Sequence, residues 1–307
     1  MKTRLITGFF ILAIFIPLVA VKNLFPLFQL FMALLAAFAS FEMIQLFEHR
    51  HRFPIPAKIV IILATVVLYM SFITEYKNST VVDGLKLFNF KVKVVPTLLI
   101  IVIILLGLMV CYADFNGASI GRAFTSIVYP AFGFSTLTVL RASGIEFIIF
   151  LFLITMLTDT FAYVCGRLFG RHKMSPNISP KKTWEGAIGG TIIACAVAIA
   201  FALLYDRTLS STFKDNFCIF DNGVITDFKD YSKALKVLFV VVITICTSIM
   251  GQIGDLVASK FKRTYDVKDF SDIFPGHGGV LDRFDSAIYA SMFLWAVFEI
   301  FEKVIGA

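Results

Sequence analysis

Charge is what this 307-residue chain has least of. Asp, Glu, Lys and Arg make up 16% of it, against about 25% in ordinary soluble domains, while 58% is apolar and the mean hydropathy is +0.86. That balance excludes a water-soluble domain and implies a polytopic membrane protein. Cysteine is also scarce: there are five, none in a CxxC pair, and four lie in or beside apolar runs. Neither a disulfide framework nor a zinc site is therefore expected. Internal repeats, low-complexity tracts and linkers are absent. The first apolar run follows Lys2 and Arg4 as a signal peptide would, but it lacks a small-residue cleavage pattern, and Pro26 with more apolar sequence follows at once. It reads as a retained span. The net charge of +7 does not point to nucleic acid. The basic residues cluster in short loops beside apolar runs, where topology and anionic lipid headgroups account for them.

A span takes about 20 mostly apolar residues. Stretches that qualify are 5–21, 24–47, 59–74, 94–113, 123–140, 145–165, 184–205, 234–256 and 285–301. The expected fold is thus all-α, a polytopic integral membrane protein with about nine transmembrane helices and a cytoplasmic N-terminus. The fifth stretch is interrupted by Pro130, Gly133 and several hydroxyl residues, which spans tolerate where neighbours satisfy the freed backbone groups. Alternation then puts the basic segments 49–58, 114–122, 166–183 and 258–282 inside, and the acidic segment 206–232 outside. Segment 75–93, with four lysines, fits this scheme least. The working division is an N-terminal transmembrane bundle, 1–140, and a C-terminal catalytic transmembrane domain, 141–307.

Against this apolar background, residues 259–285 stand out. If the preceding run continues as a helix, Asp255, Ser259, Lys262 and Arg263 share one face at i, i+4, i+7 and i+8. Beyond the loop, Asp282 and Asp285 are i, i+3 at the start of the next apolar run. Carboxylates on two helix ends suit Mg²⁺, which takes hard oxygen ligands and keeps waters and substrate phosphate oxygens in its shell. Lys262, Arg263, Lys268 and Arg283 are placed to neutralise phosphates. The run Pro275-Gly276-His277-Gly278-Gly279 lets backbone N–H groups approach an anion. His277 reads as a phosphate contact or a loop-orienting hydrogen bond.

A second polar stretch spans 159–190. Asp159 sits inside an otherwise apolar run, where a carboxylate is costly and its default role is functional or paired, Arg167 being the candidate partner. Ser179-Pro180-Lys181-Lys182-Thr183 precedes the apolar run from Trp184. Thr183 is the candidate N-cap, and two lysines beside a helix N-terminus make an anion site. Gly186, Gly189 and Gly190 read chiefly as close helix packing. Glu42, near the inner end of the second span, receives no assigned role.

These segments resemble the phosphatidate cytidylyltransferases, or CDP-diacylglycerol synthases. The resemblance rests on Ser259-x-Phe261-Lys262-Arg263, Lys268-Asp269-x-Ser271 and Phe274-Pro275-x-His277-Gly278-Gly279-Val280-x-Asp282-Arg283-Phe284-Asp285. Upstream it takes in Asp159-Thr160-Phe161-Ala162-Tyr163, Gly166-Arg167, the run 179–186 and Gly254-Asp255-Leu256, so it covers about 157–290. It implies transfer of a cytidylyl group from CTP to phosphatidate, giving CDP-diacylglycerol and pyrophosphate in phospholipid biosynthesis, at the cytoplasmic side of the C-terminal helices. Asp255 and Asp282 would hold Mg²⁺ with Asp285 as third ligand or orienter, a second metal or a monovalent ion being left open. Lys262 would act with them in catalysis. Ser179, Lys181, Lys182, Thr183, Ser259, Arg263, Lys268, His277, Gly278, Gly279, Arg283 and Asp159 would bind substrate. The implied partners are CTP, phosphatidate and membrane lipids, with no nucleic acid, in a homodimer; compactness and the want of long polar extensions point to a bacterial inner membrane. Two alternatives stand beside it: a CTP-dependent kinase or cytidylyltransferase of a polyprenyl-type lipid, and an ion or phosphate transporter, which also places carboxylates inside spans.

Overall fold

With no water at membrane depth to satisfy their backbone groups, the apolar runs close their hydrogen bonds internally and form helices. The computed structural model describes residues 13–75, 92–208, 218–222, 231–271, 273 and 278–305. In chain order the helices are α1 (13–20), α2 (Phe25–Glu48), α3 (Ile55–Glu75), α4 (Val94–Cys111), α5 (Gly117–Ser143), α6 (Ile145–Phe169), α7 (Trp184–Thr208), α8 (Lys233–Thr264) and α9 (Leu281–Ile305). Eight helices among the described residues are long and apolar enough to cross a membrane. Of the first expected span, residues 13–20 are helical and the rest lies outside the described residues.

The interrupted fifth stretch is a continuous helix, α5, with Pro130 inside it. Its hydroxyl residues do not break it, because they bond back along it. Ser126, Thr136 and Thr138 donate to the carbonyls of Arg122, Phe132 and Phe134. Two helices also overrun their apolar stretches. The second-last, α8, continues to Thr264, and α9 begins at Leu281, so the polar residues flanking the loop are on helix ends.

The chain forms two compact units, Met1–Ala142 with Lys260–Phe284, and Ser143–Ser259 with Asp285–Ala307. In the first unit, polar contacts tie helices that apolar packing alone would leave free to slide in lipid. The Tyr69 hydroxyl is fully buried and meets Gln29 O and Thr138 Oγ1, both at 2.9 Å, joining α2, α3 and α5. Ser71 and Thr97 pair at 2.8 Å between α3 and α4.

In the second unit, α6 and α7 meet through glycines. A Cβ on Gly190 would lie 2.6 Å from Thr158 O and 2.7 Å from Ala162 N, so only glycine allows this approach. Gly186 is held equally close, against Ala162 O and the Gly166 Cα. A short antiparallel hairpin, β1 (Lys173–Ser175) and β2 (Ser179–Thr183), connects the two helices where a loop was expected. Glu185 closes it, accepting from the N–H groups of Arg171 and His172 and meeting His172 Nδ1 at 2.6 Å. Elsewhere in this unit Phe220 is packed by Phe147, Phe150, Phe239 and Phe298, beside the buried ion pair of Asp221 and Lys236 at 2.8 Å.

Candidate active site

Because α8 runs on to Thr264, Lys262 leaves the helix in a fixed direction. In the first unit its Nζ donates to Asp282 Oδ1 at 2.6 Å, and it stands 5.2 Å from the Phe270 ring centroid. The two side chains are 11% and 4% exposed, so this ion pair is screened little by water. Asp282 Oδ2 accepts from Phe270 N at 2.8 Å and Gly279 N at 2.9 Å. The carboxylate thus reaches back from the first turn of α9 and ties the backbone of Phe270 and Gly279 to it. Gly278, at φ +78°, lies so near that a Cβ would fall 2.8 Å from Asp282 Oδ2, which ties this position to glycine.

Glu42 completes this knot from α2. It is fully buried and accepts from Ser271 Oγ at 2.6 Å, Val280 N at 2.7 Å and Leu281 N at 2.9 Å. Three consecutive backbone donors at the N-terminus of α9, those of Gly279, Val280 and Leu281, therefore face the protein's own carboxylates. Arg263 is exposed and donates to Val267 O at 3.1 Å. Lys268 and Arg283 are exposed as well. His277 lies outside the described residues.

The second unit carries an acidic cluster with one cation. Lys182 Nζ meets Asp255 Oδ2 at 2.5 Å. Ser259, one turn further along α8, donates to Asp255 Oδ1 at 3.3 Å. Asp159 lies within range of the charges of both Asp255 and Lys182, and its Oδ2 accepts from Ser286 Oγ at 3.2 Å. That hydroxyl is also 3.5 Å from Asp285 Oδ1, which accepts from Ser286 N at 2.7 Å. Ser286 thereby links two carboxylates that are far apart in sequence. No ion pair of Asp159 with Arg167 is formed among the described residues. Helix contact at Gly254 makes the cluster tight, since a Cβ there would lie 2.7 Å from Asp285 O. Behind it, Ser248 joins Thr158 at 2.8 Å and Thr191 at 3.1 Å, and Gln252 Nε2 donates to Thr191 at 2.8 Å. This network crosses α6, α7 and α8.

On the hairpin, Ser179 is half-buried and Lys181 exposed. Thr183 caps α7, its Oγ1 accepting from Gly186 N at 3.2 Å. The sequence reading reached the charged residues of both clusters except Glu42, and it did not reach Ser286, Thr158, Thr191, Ser248 or Gln252. Ser286 gives no sign in the chain that it bridges carboxylates. Glu42 did carry a signal, as a lone acid inside a span.

Among the described residues no three His, Cys, Asp or Glu side chains form a metal-binding group. The donor chemistry nonetheless fits a hard divalent cation. Asp255 and Asp282 each already hold an ammonium, at 2.5 and 2.6 Å, so each faces positive charge with an oxygen.

Comparison with known proteins gives the same direction. Phosphatidate cytidylyltransferases of Staphylococcus saprophyticus, Staphylococcus haemolyticus and Staphylococcus aureus are 43%, 41% and 40% identical over 164 residues. Each match covers 53% of this chain and 53% of the relative, so the match spans about half the length of these curated proteins. A family model described as the cytidylyltransferase family extends much further, over residues 2–301. It takes in the N-terminal helices together with both polar clusters, and the chain accordingly belongs to the cytidylyltransferase family.

Proposed function

We propose that this protein is a phosphatidate cytidylyltransferase. A phosphate oxygen of phosphatidate attacks the α-phosphorus of CTP. The new P–O bond forms as the bond to the bridging α,β-oxygen breaks, and pyrophosphate leaves with that electron pair. Phosphatidate is already ionised near neutral pH, so the chain need not supply a general base. Its task is to bring two polyanions together, by positioning and by neutralising charge.

The observation that carries this reading is that two of the half-buried or buried carboxylates of the motif segments, Asp255 and Asp282, each hold a lysine ammonium. Lys182 sits on Asp255 in the second unit, and Lys262 on Asp282 in the first. Asp255, with Asp285 orienting, is the carboxylate of the second unit that we assign to Mg²⁺, and Asp282 is that of the first. When bound, the metal neutralises phosphate oxygens and polarises the reacting phosphorus. Lys262 and Lys182, once relieved of their carboxylates, are free to grip phosphate oxygens. Arg263, Lys268 and Lys181, all exposed, add cations, and the Ser259 and Ser179 hydroxyls add donors.

A lipid substrate accounts for a polar site at the ends of membrane helices: acyl chains stay in lipid while the headgroup meets the nucleotide from the aqueous side. The same reading takes the protein to be a multi-pass component of a bacterial inner membrane, with both basic segments cytoplasmic, acting as a homodimer. The test is pyrophosphate release by purified protein in detergent with CTP, Mg²⁺ and phosphatidate, beside Asp282→Asn. Release that needs all three components and collapses at least about 100-fold in the variant is the expected result. Release of CDP instead would turn the assignment to a lipid kinase.

A further inference from the structure

Helix α2 and the turn that follows it grip segment 260–284 at three points. Glu42 binds Ser271, Val280 and Leu281. Phe47 packs edge-on against Tyr265, at 5.3 Å between ring centroids, and against Phe261 at 6.3 Å. Arg50 stands over the Tyr265 ring, 5.5 Å from its centroid, and pairs with Asp266 at 3.0 Å. Asp266 itself has φ +59°, an uncommon conformation for a residue with a side chain, and so costs free energy that the contacts around it offset.

Of the three grips, Glu42 is the one aimed at the chemistry. It is a fully buried carboxylate with no cation bound to it among the described residues. Among the described residues its charge is compensated by a hydroxyl and by two N–H groups at the positive end of α9. Such an arrangement is costly to assemble for packing alone, since an apolar side chain would fill the same space without desolvating a charge. What it does accomplish is to fix the backbone immediately before Asp282. Val280 and Leu281 are held by Glu42, and Gly279 by Asp282 itself, so the direction of the Asp282 carboxylate is set from α2. Lys262 follows, because its Nζ is bound to Asp282.

We propose that Glu42 is a positioning residue for the Lys262–Asp282 pair: from the N-terminal bundle it holds the N-terminus of α9 in the one conformation that presents that pair. The proposal rests on the cytidylyltransferase reading for its kinetic consequence, but its geometry can be tested without turnover. Glu42→Gln keeps the size of the side chain while leaving one acceptor oxygen for two backbone donors and setting an NH₂ group against one of them. Hydrogen exchange followed by mass spectrometry should show the amides of Val280 and Leu281 opening on the order of 10-fold more often in this variant, the loss of one charge-assisted hydrogen bond. Amides of α6, in the other unit, should be unchanged.

In turnover, kcat should fall on the order of 30-fold, with KM for CTP moving by less than about threefold. Because the effect acts through Asp282, adding Glu42→Gln to Asp282→Asn should cost less than about threefold more. Unchanged exchange at Val280 and Leu281, or losses that multiply in the double variant, would overturn the proposal. If Glu42→Gln does not yield monodisperse protein, Ser271→Ala serves in its place. It removes only the 2.6 Å donor and should raise exchange at the same two amides by a smaller factor, and no rise there overturns the proposal equally. Should the parent protein release no pyrophosphate at all, the functional reading fails while the exchange experiment still decides this one.

Discussion

A lysine and an aspartate with side chains 11% and 4% exposed are bound to each other's presence. Taking away only Lys262 leaves Asp282 a buried anion served by two backbone N–H groups, and breaking a buried pair this way costs about 3 kcal/mol or more. Lys262→Met should therefore lower the thermal unfolding midpoint in detergent clearly. Lys262→Met with Asp282→Asn, which removes both charges, should recover most of that stability, while turnover stays lost in both. Recovery of activity along with stability would show that the pair serves folding alone. A second lesson at this scale concerns legibility. Lys262, Asp282, Asp255 and Ser259 announced themselves by type and spacing, because charged groups at helical intervals stand out in an otherwise apolar chain. The hydrogen bonds that orient them come from Glu42 and Ser286, and spacing along one helix says nothing of a partner on another.

Among the elements, the α6–α7 pair shows how apolar helices are brought close in a membrane. No hydrophobic force distinguishes a neighbouring helix from lipid, so contact depends on small residues and shared polar groups. At Gly190 a Cβ would meet two backbone atoms at 2.6 and 2.7 Å, whereas at Gly107, on α4, nothing stands within 4 Å. Gly190→Ala should accordingly lower stability by about 1–3 kcal/mol, read as a drop in the thermal midpoint, and should reduce turnover because Thr158 and Asp159 lie on the displaced face. Gly107→Ala should leave the midpoint unchanged or slightly raised, since alanine is the better helix former. Equal effects would mean that the glycines of α7 are not packing contacts. Helix positions were legible throughout because periodicity and apolar length are strong local signals. The hairpin 173–183 was not, as its strands are three and five residues long and are held by Glu185 from beyond the loop.

At the scale of the whole molecule, the chain divides into two compact units that do not follow its order in sequence. Segment 260–284 belongs with the N-terminal helices, and the acidic cluster of Asp159, Asp255 and Asp285 with the C-terminal ones. Orientation in the membrane is a matter for experiment on intact cells. In a background with the five cysteines replaced by alanine, Lys181→Cys, on the exposed strand of the hairpin, should react with a membrane-impermeant maleimide in inverted vesicles and not in intact cells. Labelling in intact cells would invert the proposed topology, in which the basic segments face the cytoplasm.

By itself the sequence determined that this is a helical membrane protein, where most of its spans lie, and which charged residues stand out against the apolar background. Those properties follow from composition and from local periodicity, both of which are written along the chain. Only the tertiary structure decided that Glu42 and Ser286 hold the key carboxylates and backbone in place, that Asp255 and Asp282 each carry a lysine, and that the signature segment packs with the N-terminal helices. These are contacts between residues tens to hundreds of positions apart, such as the 238 that separate Glu42 from Val280, and no local pattern encodes them. They exist because a buried charge must find donors wherever the fold brings them.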